Sequence, residues 1–272
     1  MAAAVVGFGF VACSDDDPEA EATATEGGAT EATATPTSAA TSTGGGGAAA
    51  TATQTAEATA SPTEAPAASE PAEAGAVRWE RVNLGFVSAY VLVRGGEAAI
   101  VDTGVSGSAD DIEASLGVVG VGWGDVGHVI VTHSHGDHAG SLVEVMTRAA
   151  DAMGYAGAAD IPAIASPREL VAVGDGDRVF DLEIIATPGH TAGHISVLDT
   201  VGRLLVVGDA INGGSTAGLD GGVVGPNPQF SPDMATANLS VAKIAGLDFD
   251  VVLFGHGEPI IGGAAAEVAA LL

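Results

Sequence analysis

Residues 129–140 read VIVTHSHGDHAG and place three of the chain's seven His and one Asp within six residues, directly behind a short apolar run. The run reads as a buried strand, and the His/Asp segment as the loop that leaves it. Zinc prefers imidazole nitrogen and carboxylate oxygen, and a catalytic zinc keeps one position for water. His133 and His135 are two positions apart, and Asp137 and His138 follow across Gly136, which is expected to allow a tight backbone bend. A loop of that form aims the first pair at one metal and the second pair at a neighbour. Four donors do not complete two sites. The remaining donors are expected at other strand ends, and the chain supplies His190 in TPGHTAGH, Asp209 in VVGDA and His256 in LFGHGEP.

Working outward, SAYVLVRGGEAAIVDTG (88–104) reads as two strands around the Gly95-Gly96 turn, ending at Asp102. SADDIEASLGVV (108–119) follows as a helix with Ser108 at its N-cap. SLVEVMTRAA (141–150) has helical spacing, HISVLDTVGRLLVVGDAI (194–211) reads as a hairpin, and SPDMATANLSVAKIAG (231–246) as a helix. Strand DVVLFGHG and a last helix close the chain. Mixed elements of this kind imply a layered α/β protein. Asp102, the His133 cluster, His190, Asp209 and His256 each follow a strand-like run, so loops at one sheet edge would gather them.

The first quarter of the 272 residues is different. Residues 2–12, AAAVVGFGFVA, form an apolar run of signal-peptide length, too short to span a bilayer. It ends at FVAC, with the single cysteine, Cys13, after Ala12; this resembles a bacterial lipobox, in which the Cys becomes the lipidated N-terminus. Phe10 stands where Leu is usual, and no Lys or Arg precedes the run, as expected if translation starts further upstream. An ordinary cleaved signal peptide is the alternative. Residues 14–76 consist mainly of Ala, Thr, Glu, Gly, Pro and Ser and bury almost nothing, so they are expected to be a disordered linker. As a coil of about 60 residues the linker would reach roughly 40–50 Å. The expected location is therefore extracytoplasmic, lipid-anchored to a bacterial membrane or secreted, with the folded domain at 77–272.

Net charge is -27 from 35 Asp+Glu and 8 Lys+Arg, a field that repels phosphate backbones and anionic headgroups. Nucleic acid is therefore not an expected partner, and contact with the membrane is expected only through the lipid anchor.

Five elements in order, VDTG (101–104), THSHGDH (132–138), PGHTAGH (188–194), GD (208–209) and GHG (255–257), resemble the metallo-β-lactamase superfamily over the whole of residues 77–272. The resemblance implies a four-layer αββα sandwich with two metals at one edge. It implies that His133, His135 and His190 hold the first metal, that Asp137, His138 and His256 hold the second, and that Asp209 bridges them. Zinc is the expected metal, with iron or manganese as alternatives. The metals would share a water or hydroxide with a pKa of about 7 or below, a nucleophile at neutral pH, and Asp137 would orient it and later protonate the leaving group. Asp102 is expected to hydrogen-bond a ligand His or else to cap a turn, and His194 either to support a ligand or simply to pack. Thr132 and Thr191 are expected to brace loops, and His128 to be structural.

Asp209 stands where the β-lactamase branches usually carry Cys or no bridging ligand, so the resemblance turns toward thioesterases, lactonases and phosphodiesterases. A strict glyoxalase II has a C-terminal helical domain, whereas 16 residues follow His256; the lactonase Tyr is replaced by Asn212. The expected activity is hydrolysis of an ester, thioester or lactone of a small molecule. The alternatives are β-lactam hydrolysis, an iron-dependent sulfur dioxygenase or redox protein of the same fold, and a non-catalytic surface binding protein. Residues 212–233 are expected to line the cleft with Phe230, and Phe86 to supply a second wall or pack in the core. The absence of Lys and Arg from 212–233 disfavours a strongly anionic substrate.

Overall fold

The computed structural model describes residues 75–219 and 221–272. The signal segment, Cys13 and the 14–76 linker, apart from its last two residues, lie outside the described residues. Two six-stranded sheets organise the rest. The first runs in sequence order through β1 (Arg78–Asn83), β2 (Ser88–Arg94), β3 (Glu97–Val101), β4 (Val126–Val131), β5 (Met153–Gly157) and β6 (Val171–Val173). The second contains β7 (Arg178–Val179), β8 (Leu182–Ala186), β9 (Ile195–Asp199), β10 (Leu204–Gly208), β13 (Val251–Phe254) and β14 (Ile260–Ile261), in the order β14-β13-β10-β9-β8-β7. A two-stranded ribbon pairs β11 (Asn212–Gly213) with β12 (Val223–Val224). The helices are α1 (Ala109–Val118), α2 (Gly136–Ala139), α3 (Leu142–Arg148), α4 (Met234–Ala245) and α5 (Ala264–Ala269).

Three apolar clusters stack these elements into four layers. Val91, Val93 and Ile100 face Ile112 and Leu116 of α1 and Leu142, Val145 and Met146 of α3. Leu92, Val101 and Ile130 on the other face of the first sheet pack against Ile184, Val197 and Val206 of the second. Behind the second sheet, Ile185, Leu205 and Val252 meet Val241 and Ile244 of α4 and Val268 of α5. The order is therefore αββα, as the family resemblance implied. A strand covered on both faces has no solvent face to alternate toward, which explains the continuous burial of β9 and β10 and of the first six residues of β2.

Helical crossovers turn the first sheet parallel from β3 to β6. Parallel strands end on the same side, so Asp102 after β3 and Thr132 after β4 leave the sheet at one edge. Between the sheets the Tyr90 hydroxyl donates to the Phe254 carbonyl at 2.7 Å, next to the loop that carries His256. Ser108 occupies the N-cap position of α1, but its side chain does not cap; its hydroxyl donates to the Val105 carbonyl instead. Gly136 keeps a negative φ and opens the short helix α2, so the bend in the His loop comes from a helical turn and not from a left-handed glycine.

Candidate metal centre

The loops after β4, β8, β10 and β13 bring all seven sequence-predicted donors together. His133, His135 and His190 form one group in which a ring nitrogen from each converges, with His135 Nδ1 3.1 Å from His133 Nε2 and 2.9 Å from His190 Nε2. Two of the outward nitrogens are occupied: His133 Nδ1 lies 3.1 Å from Thr132 Oγ1, and His190 Nδ1 lies 3.1 Å from Ser231 Oγ. Asp137, His138 and His256 form a second group, with His256 Nε2 3.3 Å and His138 Nε2 3.9 Å from Asp137 Oδ2. Asp209 lies between the groups. Its oxygens are 3.5 Å from His190 Nε2, 3.3 Å from His138 Nε2 and 3.2 Å from His256 Nε2.

Two buried atoms in this cluster, His138 Nε2 and Asp209 Oδ1, have no hydrogen-bond partner. An orphaned buried polar group costs about 1–3 kcal/mol, more when charged, and a divalent cation between the two would satisfy both. The donor chemistry therefore fits metal ions. Protonation follows the same division. Burial pushes His133 down, helped by His138 and His194, and burial pushes His190 down to about 4. Burial also opposes charge on His138 and His256, yet Asp209 and Asp102 raise the former, and Asp137 and Asp209 raise the latter to about 10. Burial would raise Asp209, but His138 and His256 hold it well below the usual carboxylate range. The hydrogen bond to His256 likewise lowers Asp137. In the metal-free protein these protonated rings balance carboxylates that a bound cation would otherwise neutralise.

The family model described as Metallo-beta-lactamase superfamily matches residues 82–256. The chain belongs to the metallo-β-lactamase superfamily. A probable metallo-hydrolase of Bacillus subtilis, YflN, is 30% identical over 173 residues, covering 49% of this chain and 65% of that protein. A hydroxyacylglutathione hydrolase of Alkalilimnicola ehrlichii is 34% identical over 125 residues, 45% of each chain. This chain thus spans less than two thirds of either relative. The crystal structure of a metallo-β-lactamase family protein of Thermus thermophilus superposes with a TM-score of 0.57 at 21% identity, covering 72% of this chain and 77% of the other, a likeness of fold.

In the site of this superfamily member, three buried residues hold the candidate donors in place. Asp102, itself in the left-handed region at φ 63°, accepts from His138 Nδ1 at 2.7 Å and from the Thr132 amide and hydroxyl. That bond leaves Nε2 as the nitrogen that faces the cluster, so Asp102 orients a donor and is no simple cap. His194 accepts the Asp209 backbone N–H on Nε2 at 3.0 Å and lies 2.8 Å from the Thr187 hydroxyl through Nδ1. Burial pushes its pKa down to about 3, which keeps it an acceptor and holds Asp209 in place. Asp160 was not singled out by the sequence. Its carboxylate accepts from the Ser134 amide at 2.8 Å, the Gly193 amide at 2.7 Å and the Thr191 hydroxyl at 2.6 Å, tying the His133–His138 loop to the His190 loop. No local motif marks it, because its partners lie 26, 31 and 33 positions away. His128 contacts Tyr155 and Glu97 and, as expected, belongs to none of the donor groups.

A cleft of about 960 Å³ opens over the donors and is lined by His135, Asp137, His190, Asp209 and His256. Asn212, Ser215, Val224, Pro226 and Phe230 line it from the 212–233 segment, as the sequence implied. Phe86 is 63% exposed at the cleft, its ring parallel to within 16° of His256, and so is a wall and not a core residue. A bulky residue at position 255 would fill the site: a Cβ on Gly255 would lie 2.2 Å from Asp209 Oδ1. Arg81 reaches the cleft from β1, a cation that the composition of 212–233 could not reveal.

Proposed function

We propose that this superfamily member is a dinuclear zinc hydrolase of an ester, thioester or lactone in a small molecule. The observation that carries the reading is the pair of donor groups joined by Asp209 and open to one cleft. The first ion would be held by His133, His135 and His190, the second by Asp137, His138 and His256, with Asp209 touching both groups. Ions bound there would supply Lewis acidity toward a carbonyl and a water-derived nucleophile at neutral pH. The protein's own contribution is positioning and proton handling. Asp137 is partly exposed to the cleft and turns its Oδ2 toward His138 and His256, so its other carboxylate oxygen would be the one to hold a water, accept its proton and return that proton to the leaving group. Asp102 and His194 keep His138 and Asp209 oriented through the cycle, and Phe86 and Phe230 offer apolar contact to an acyl chain.

The carboxylate at position 209 and the match to a hydroxyacylglutathione hydrolase both favour the thioester and ester end of this range over β-lactams. A panel of esters, thioesters, lactones, phosphodiesters and β-lactams, assayed with measured metal content, tests the proposal. Turnover of a thioester or ester with about two zinc per chain is the expected result. Iron in one position only, or nitrocefin as the sole substrate, would overturn it. The proposed lipid anchor at Cys13 is tested separately, by palmitate labelling of cells expressing the chain and its Cys13→Ala variant.

A further inference from the structure

Arg81 is the one Arg or Lys among the described residues that line the cleft. Its guanidinium is fixed on two sides: Nε donates to Ser88 Oγ at 2.9 Å, and Nη2 donates to the Gly257 carbonyl at 3.1 Å, one residue beyond His256. The third side, Nη1, donates to Glu258 Oε2 at 2.6 Å. The two partners differ sharply in freedom. The Arg81 side chain is 14% exposed and the Glu258 side chain 71%, and Glu258 also lines the cleft. A rigid guanidinium is a preformed fork for carboxylate, whereas the exposed Glu258 side chain loses rotamer freedom by staying in the pair and can swing into solvent.

We propose that Arg81 is a recognition site for a carboxylate carried by the substrate away from the scissile bond, and that Glu258 occupies this site in its absence. The proposal deepens the hydrolase reading and rests on it for the identity of the ligand as a substrate. Exchanging one carboxylate for another leaves the charge at Arg81 balanced, so binding carries no net charge penalty at that position. Phe86 and Phe230, both more than half exposed at the same cleft, give the body of such a molecule an apolar contact. A carboxylated acyl compound with an apolar middle section is the ligand class that matches these three residues.

The probe pair is 4-phenylbutyrate and its uncharged amide, titrated by calorimetry into the full chain, both zinc-loaded and chelator-treated. The native protein should prefer the carboxylate in both states. Arg81→Gln should reduce that preference by about tenfold or more, since a hydrogen bond to a charged group is lost. Glu258→Gln removes the competing carboxylate and should tighten the acid by up to about fivefold, with the amide unchanged. A purely structural brace would not produce that gain, and the exposed position of Glu258 keeps this variant informative even where Arg81→Gln fails to fold. A preference that survives in Arg81→Gln but disappears on chelation would place the carboxylate on the metals and overturn the proposal. Unchanged acid binding in Glu258→Gln would overturn it too. Hydrolysis of phenyl acetate by the same preparations separates the two readings: selective binding without hydrolysis breaks the catalytic assignment alone, and hydrolysis without selectivity breaks this one alone.

Discussion

The two halves of the candidate metal centre gather their donors with different chemistry. His133, His135 and His190 present three imidazoles, two of them buried and held with depressed pKa values, and their outward nitrogens rest on neutral hydroxyls where a partner is present. The other half mixes Asp137 with His138 and His256, whose outward nitrogens meet a carboxylate and a carbonyl, and whose pKa values are raised. The first half is thus prepared for a cation by two rings, His133 and His190, whose burial disfavours the imidazolium, the second by the carboxylates that face its rings. Asp209 touches both and couples them.

The largest effect should come from removing that coupling. Asp209→Ala should lose metal from both halves and reduce turnover by far more than the roughly 10–100-fold that outer partners contribute. Metal analysis beside kinetics checks this, and a variant that keeps two ions would show that the halves are independent. Next in size are His135→Ala and His256→Ala. Each should lower metal content by about one ion per chain while folding is kept, measured by elemental analysis and circular dichroism; both ions leaving together in either variant would mean that one half cannot load alone.

Smaller effects should divide between the braces. Asp102→Ala should weaken metal binding by roughly 10–100-fold through His138, and Asp160→Ala should act by a similar factor through the joined His loops. Cobalt-substituted spectra distinguish the two halves, and identical spectral changes in the two variants would contradict the separation drawn here.

The smallest effect concerns pH in the metal-free protein. His190 has its folded pKa depressed from 6.5 to about 4, so the neutral ring favours the fold, and this contribution is present above 6.5 and lost as pH falls toward 4. His256 has its folded pKa raised from 6.5 to about 10, so its contribution is present below 6.5 and lost as pH rises through 10. Urea unfolding from pH 4 to 10 should therefore show losses at both ends, and zinc should remove the alkaline loss, because a coordinated His256 is neutral in the fold. An alkaline loss that persists with zinc bound would place His256 outside the metal centre.

Much of this centre was legible before any fold was known. The spacing in HSHGDH, together with GH, GD and GHG behind apolar runs, names seven donors, because metal ligation restricts residue type and strand ends restrict position. The layered α/β class was legible for a similar reason: runs such as LLVVG and VVLF have no polar face, so both of their sides must be covered. Three things were decided only in three dimensions. Asp160 ties two loops mainly through backbone amides, which almost any sequence supplies, and its one side-chain partner, Thr191, lies 31 positions away, so nothing in its neighbourhood marks it. His194 could equally have packed in the core until its Nε2 met the Asp209 amide. Arg81 lies about 50 residues from the His loop and reaches the cleft only because β1 and the 255–258 loop come together at the edge of the two sheets. The choice of candidate donors is a local matter of residue chemistry and was legible in the sequence; their support, and the place of Arg81 at the cleft, are long-range contacts between side chains and distant backbone, and only the packing of the two sheets decides them.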